Sequence, residues 1–261
     1  MPPNADTASP SSPASPASPA SFVLAAPSFV LPAGVPENCR FLAPMVDEIG
    51  LALFESAACL AYGQDDLPPW LAGLPVRYHV HLPLDLDWTD PGRAFTVIAA
   101  LVEKTAFLQP TAFVLHPDAN APPARIAQRF AALGVEPGRV LLENTRERSL
   151  AEDWPALLDA GLSACLDLGH VLAYSQHETL GLPGLWERVR MVHAYAPDQE
   201  NPSRHAGLQL LDAGGRALLR EALARLAPGA VLMAEVFHPE GLAASLEVLA
   251  SLGITRQGER S

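Results

Sequence analysis

The sequence predicts a single (β/α)8 barrel, the TIM-barrel architecture. Three observations carry that prediction. Eight short apolar or β-branched runs recur along the chain, bounded by Gly, Pro, Asp or Asn. Amphipathic stretches with apolar residues at three- and four-residue spacing lie between them. The length, 261 residues, suits eight such units, for which about 250 residues is typical. Strand followed by helix implies a parallel sheet with right-handed crossovers. A doubly wound open sheet is the alternative. It usually shows a Gly-rich phosphate turn after an early strand, and no GxGxxG or Walker motif is present.

The chain begins MPPNADTASPSSPASPASPA. Pro removes backbone donors and Ser is polar, so no packed core can form there. Residues 1–26 therefore read as a disordered tail ahead of a barrel over 27–261. No Lys or Arg precedes Arg40, and a signal peptide, which needs a basic n-region, is not expected. The strands read FVLP (29–32), IGLALFE (49–55), VRYHVHL (76–82), TAFVLH (111–116), RVLLEN (139–144), LSACLD (162–167), VRMVHAY (189–195) and AVLMAEVF (230–237). Such runs suit strands buried on both faces. The helices read PENCRFLAPMVDE, GRAFTVIAALVEKTAFL, PARIAQRFAALG, SLAEDWPALLDAG, RALLREALARLA and GLAASLEVLASLG. Gly134, Gly161, Gly229 and Gly253 follow helix ends, where a left-handed cap is wanted.

Charge and composition exclude several functions. The 17 Lys and Arg face 29 Asp and Glu, a net charge of −12. A general nucleic-acid or anionic-membrane binder needs a basic surface instead. No apolar run approaches the ~18 residues of a spanning helix. Cys39, Cys59 and Cys165 include no CxxC pair, so a reducing cytoplasm is expected. The oligomeric state leaves no trace in the sequence.

Barrel enzymes carry their sites at the C-terminal ends of the strands. Six successive strands end in His, Asp or Glu. The third gives His79 and His81, the fourth His116, the fifth Glu143, the sixth Asp167 with His170 behind it. The seventh gives His193, with His205 in the following loop, and the eighth gives Glu235. Imidazoles and carboxylates are the usual ligands of Zn²⁺, Mn²⁺ and Fe²⁺. A carboxylate can bridge two cations, and Glu143 stands between the two groups of ligands in barrel order. Carboxylates buried together would rise in pKa unless cations were present. His79 shares a strand face with His81 and is expected one layer deeper, in a structural role. Asn144 and Tyr195 are candidates for orienting ligands. Glu55 and Trp88 are candidate substrate contacts, Trp88 as part of an apolar wall with Leu82, Leu84 and Leu86. Lys104 is the one lysine of the chain and lies mid-helix, away from any catalytic position.

This run of strand-end groups resembles the xylose-isomerase-like barrels and, within them, the endonuclease IV branch. The resemblance implies that His81, His116 and Glu143 hold one metal and that Glu143, Asp167, His193 and Glu235 hold a second. It assigns His170 and His205 to a third. The sequence departs from the pattern there. Asp-Arg-His is replaced by Ser203-Arg204-His205, so the third metal lacks its carboxylate. Two divalent ions are expected, zinc or manganese with iron a further option. His170, Arg204 and His205 are then expected to hold a weak third ion or to contact a phosphate, with Glu143, His170 and His205 as the catalytic group.

The segments PSFVLPAGVPENCRFLAPMVDEIGLALFE, YHVHLPLDL, CLDLGHVLAY and VRMVHAYAP are similar to the cobamide-remodelling phosphodiesterases. That resemblance implies metal-dependent hydrolysis of the phosphoester in the nucleotide loop of a cobamide (vitamin B12-type) substrate, with no nucleic-acid or membrane partner. Alternatives within the superfamily are a sugar isomerase or epimerase and an abasic-site endonuclease. A non-catalytic cobamide- or metal-binding barrel is the alternative outside enzymology.

Overall fold

The computed structural model describes residues 22–198, 200–201 and 204–257. Eight parallel strands close into a barrel in the order β1-β10-β7-β6-β5-β4-β3-β2. They are β1 (Val23–Pro27), β2 (Glu48–Ala52), β3 (Arg77–His81), β4 (Phe113–Leu115), β5 (Val140–Glu143), β6 (Ser163–Asp167), β7 (Val189–Ala194) and β10 (Val231–Ala234). The strands β8 (Ala196–Pro197) and β9 (His205–Ala206) form a small antiparallel ribbon after β7. The helices are α1 (Val35–Leu42), α2 (Ser56–Ala61), α3 (Pro91–Thr105), α4 (Pro123–Ala132), α5 (Leu150–Asp159), α6 (Leu168–Ala173), α7 (Leu185–Arg188), α8 (Ala213–Arg225) and α9 (Pro239–Ser251). No helix among the described residues is long and apolar enough to cross a membrane.

The first strand corrects the sequence reading. Phe-Val-Leu occurs twice, at 22–24 and 29–31, and the strand uses the first copy. That copy runs on into Ala25 and Ala26, both wholly buried, and pairs with β10 and β2. The second copy is a loop over the barrel mouth, with Val30 buried and Phe29 55% exposed. The described barrel thus includes residues 22–26, assigned above to the tail; residues 1–21 lie outside the described residues. Three further helices, α2, α6 and α7, span six, six and four residues. A helical period cannot register over so short a stretch.

Local chemistry fixes the longer helices. Asp90 and Asp212 cap α3 and α8, each carboxylate accepting from a backbone N–H of the first turn. Gly134, Gly161 and Gly253 adopt φ of +76°, +70° and +80°, the left-handed conformation that closes a helix at low cost. Gly229, at φ +83°, lies instead in the Ala227–Ala230 turn, because α8 has already ended at Arg225 with Leu226 extended.

Side chains alternate across each strand, so one set fills the barrel and the other meets the helices. Val23, Ala25, Val114, Leu141, Cys165 and Met233 belong to the interior set. The lower interior holds a buried pair, with His79 Nδ1 2.8 Å from Glu48 Oε1. Arg77 Nη2 lies 3.0 Å from Glu48 Oε2, and Thr111 Oγ1 donates to Glu48 Oε1 over 3.0 Å. His79 is fully buried and lies below the mouth. Gly50 makes room for it. A Cβ there would stand 2.5 Å from His79 Nε2 and 3.0 Å from Met233 Sδ. Gly50→Ala is therefore expected to destabilise the fold by about 1–3 kcal/mol, measured as a lower urea midpoint at unchanged slope.

Candidate metal centre

The barrel delivers its donors in register. His81, Glu143 and Asp167 are the last residues of β3, β5 and β6, and His193 is the last but one of β7. His116 and Glu235 follow β4 and β10 by one residue. An irregularity between Ala164 and Cys165 sets Asp167 opposite His193 across the β6–β7 ladder. Parallel strands thus bring residues far apart in the chain, from His81 to Glu235, to one rim.

Glu143 is the hub. Its Oε2 lies 3.0 Å from His81 Nε2 and 3.4 Å from His116 Nε2. Its Oε1 lies 2.9 Å from His193 Nδ1. His193 Nδ1 is also 3.5 Å from Glu235 Oε1, and Glu235 Oε2 is 3.2 Å from His205 Nδ1. Glu143, Asp167, His193 and Glu235 are all buried. Their donor atoms fall within 4.8 Å of one another, as do those of His81, His116 and Glu143.

Asn144 and His170 steady Asp167. Asn144 Oδ1 accepts from Asp167 N at 2.8 Å while its Nδ2 donates to Asp167 O at 2.9 Å. The amide thereby extends the β5–β6 ladder by one side chain. Gln176 holds it from behind, accepting from Asn144 Nδ2 at 3.1 Å. Asp167 also caps α6, its Oδ1 accepting from His170 N at 2.7 Å. Its Oδ2 lies 3.2 Å from His170 Nδ1, whose shorter contact, 2.8 Å, is to Asn144 O. Asn144→Ala is expected to weaken metal binding about 10–100-fold, read by competition with a chromogenic chelator.

Burial and mutual charge set the protonation states. Burial opposes ionisation of Glu143, but His193, His116 and His81 outweigh it and hold the carboxyl well below its usual range. Burial likewise opposes ionisation of Glu235, yet His193 and His205 bring it to about 2. Asp167 goes the other way. Burial, then the nearby Glu235 and Glu143, push it up to about 7. Burial disfavours a charged His193, but Cys165, Glu235 and Glu143 raise it well above an ordinary histidine.

These donors fit divalent cations. Asp167 Oδ2 is buried with no hydrogen-bond partner, and a buried carboxylate oxygen left so is costly unless a proton or a cation meets it. Three buried carboxylates, Glu143, Asp167 and Glu235, lie together, and cations would neutralise them directly. Two or three imidazoles with carboxylates are a borderline donor set suited to Zn²⁺, Mn²⁺ or Fe²⁺.

A cavity of about 340 Å³ opens above these groups. His81, His116, Glu143, His170, His205 and Glu235 line it, with Phe54, Phe237, Tyr174 and Leu84. Phe29, Phe54 and Phe237 form an edge-to-face cluster, with centroids 5.7–6.4 Å apart, on the β1–β2–β10 side. Thr145, Arg146 and Glu147 line the β5 side. Tyr195 stacks on His205 at 3.6 Å and 5°.

Several sequence candidates fall elsewhere. Trp88 is buried against Phe95, with ring centroids 5.4 Å apart, and Leu82 and Leu86 are also buried. Of the proposed apolar wall only Leu84 reaches the cavity, because the loop after β3 folds its other apolar groups inward. Glu55 stands at the N-cap of α2, three residues past the end of β2, and does not line the cavity. Arg204 points to Asp198, 3.6 Å away, with 68% of its side chain exposed, outside the cavity lining. Ser203 lies outside the described residues. Arg146, Phe54, Phe237 and Tyr174 were not singled out from sequence. The apolar end of IGLALFE and the Phe of AEVF were visible there, but only as strand residues.

No protein-family model matches the chain, and no curated protein does. Solved structures do. A D-tagatose 3-epimerase-like protein is 16% identical with a TM-score of 0.64, covering 88% of this chain and 96% of that one. Endonuclease IV from Thermus thermophilus is 19% identical with a TM-score of 0.62, covering 88% and 98%. A xylose isomerase domain-containing protein from Salmonella typhimurium is 13% identical with a TM-score of 0.61, covering 88% and 94%. The structural neighbours are thus xylose-isomerase-like TIM barrels, and at these identities the likeness is one of fold.

Proposed function

We propose that the protein is a metal-dependent phosphodiesterase whose substrate is the nucleotide-loop phosphodiester of a cobamide. One observation carries the reading. Glu143 offers one oxygen to the imidazoles of His81 and His116 and the other to His193, the geometry of a carboxylate shared between two cations. Two ions held by these residues would supply the charge withdrawal from a phosphodiester and the lowered water pKa that such hydrolysis needs. Three carboxylates, Glu143, Asp167 and Glu235, against two divalent charges leave one net positive charge, the complement of a phosphodiester anion.

The chain's own groups do the rest. Asn144 fixes Asp167, and Glu235 orients His205 through its carboxylate and its backbone carbonyl, 3.2 and 3.1 Å from Nδ1. Among the described residues no group hydrogen-bonds to Nε2 of His205, and this nitrogen of a cavity-lining ring is placed to hold a proton for the leaving oxygen. Phe54 and Phe237 supply an apolar side wall that a large planar ring system can lie against. The net charge of −12 argues against DNA as the substrate.

A second reading has its own support. Glu143 and Glu235 both approach His193 Nδ1, at 2.9 and 3.5 Å, so two carboxylates flank one metal position as a ketose epimerase would use them for proton transfer. Incubation of zinc- or manganese-loaded protein with a cobamide, an abasic oligonucleotide and a ketose panel separates the readings by product mass. Cleavage of the cobamide phosphoester is expected. Epimerised ketose with intact cobamide would replace the first reading by the second.

A further inference from the structure

We infer that Arg146 is the specificity residue that recognises an anionic, phosphate-like group of the substrate. This rests on the hydrolase reading for its role in turnover, though not for its binding chemistry. Among the described residues, Arg146 is the only arginine or lysine lining the cavity that holds His81, His116, Glu143 and Glu235. The other arginine of the same turn is committed. Arg148 binds Asp153 through Nε and Nη2, at 2.6 and 2.9 Å, and Glu152 through Nη1 at 3.1 Å. Arg204, the arginine that sequence reasoning favoured, is drawn to Asp198. Among the described residues no carboxylate pairs with Arg146, so its guanidinium stands free.

The backbone that presents it is fixed. Thr145 N donates to Arg148 O at 2.8 Å, and Arg148 N donates to Thr145 Oγ1 at 3.2 Å. Gln176 Nε2 donates to Thr145 O at 2.6 Å. The segment Thr145–Arg148 is therefore a turn pinned at both ends, two residues past the hub carboxylate Glu143, with Arg146 and Glu147 at its corners. A guanidinium keeps its charge at every working pH and grips phosphate oxygens in pairs. Set against the Phe54–Phe237 wall across the mouth, it gives the cavity one anion-binding side and one apolar side. A neutral sugar would leave the charge of the guanidinium unused. A phosphoester carrying a bulky apolar or aromatic part would use both.

The test titrates phenylphosphonate into zinc-loaded protein by calorimetry, with cobamide turnover measured in parallel. Arg146→Gln is expected to weaken phosphonate binding about ten- to a hundredfold, with Arg146→Lys recovering part of it and zinc content unchanged in both. Arg220→Gln, on the outer helix α8, controls for net charge and should bind as the parent does. Affinity within twofold of the parent in Arg146→Gln, or an equal loss in Arg220→Gln, overturns the assignment. In turnover, Arg146→Gln should raise KM for the cobamide far more than it lowers kcat. Arg146-dependent phosphonate binding without any cobamide cleavage would sink the hydrolase reading and leave the anion site standing. Cleavage with an unchanged KM would do the reverse.

Discussion

Glu143→Gln is expected to lose phosphodiester turnover by about 10³-fold, comparable to removing a principal electrostatic stabiliser of a transition state, and to bind one fewer metal ion. The amide keeps the shape of the carboxylate but not its charge. It leaves His81, His116 and His193 facing a neutral group where each now meets a carboxylate oxygen at 2.9–3.4 Å. A shared carboxylate serves two ions at once, so its loss should cost more than the loss of a ligand that serves one. His116→Ala provides that comparison, since His116 touches only one oxygen of the hub and is 29% exposed at its side chain. Steady-state kinetics with metal analysis of the same samples checks both. Undiminished turnover in Glu143→Gln would remove the bridging role.

Stripping the metal should lower thermal stability, and the loss should grow with pH. An ion held a thousandfold above its dissociation constant contributes about 4 kcal/mol, which for a domain of this size is roughly 10 °C in Tm. The pH dependence follows from the imidazoles and, with the same sign, from Asp167, whose pKa of about 7 makes the folded state lose stability as pH rises toward that value. In the metal-free protein His193, His170 and His205 all have raised pKa values against the cost of burial, His193 through Cys165 and then Glu235 and Glu143, His170 and His205 through the neighbouring carboxylates. A histidine raised on folding adds stability below its unfolded pKa, about 6.5. That contribution is lost as pH rises through the folded value. Metal ligation needs the neutral ring, so acid competes with the ion. Glu143 and Glu235 are depressed on folding. Their stabilisation is present above about pH 4.5 and fails only as pH falls through their folded values, outside this window. Calorimetric scans with and without chelator should therefore nearly coincide at about pH 5.5 and separate widely at about pH 8. An equal gap at both would contradict a histidine-rich centre.

Much of the barrel is written in its strand runs. Seven of the eight apolar segments coincide with strands because a strand buried on both faces is apolar along most of its length. The exception is instructive. Phe22-Val23-Leu24 and Phe29-Val30-Leu31 are chemically alike, and only pairing with β2 and β10 selects the first. The rim donors were legible because a barrel maps the end of every strand onto one ring. His81, His116, Glu143, Asp167, His193 and Glu235 needed only the strand ends to be found, and the structure brings them together. Loop side chains obey no such map. Trp88 turned inward to pack on Phe95, Arg204 turned outward to Asp198, and Arg146 became the cavity's arginine because a turn, rather than a period, aims it.

Anomalous scattering from crystals of the zinc-loaded protein tests the central claim most directly. Two peaks about 3.5–4 Å apart are predicted, both within ligand distance of Glu143, one also at His81 and His116 and the other at Asp167, His193 and Glu235. A barrel mouth with no anomalous peak, or with peaks that do not touch Glu143, would contradict it.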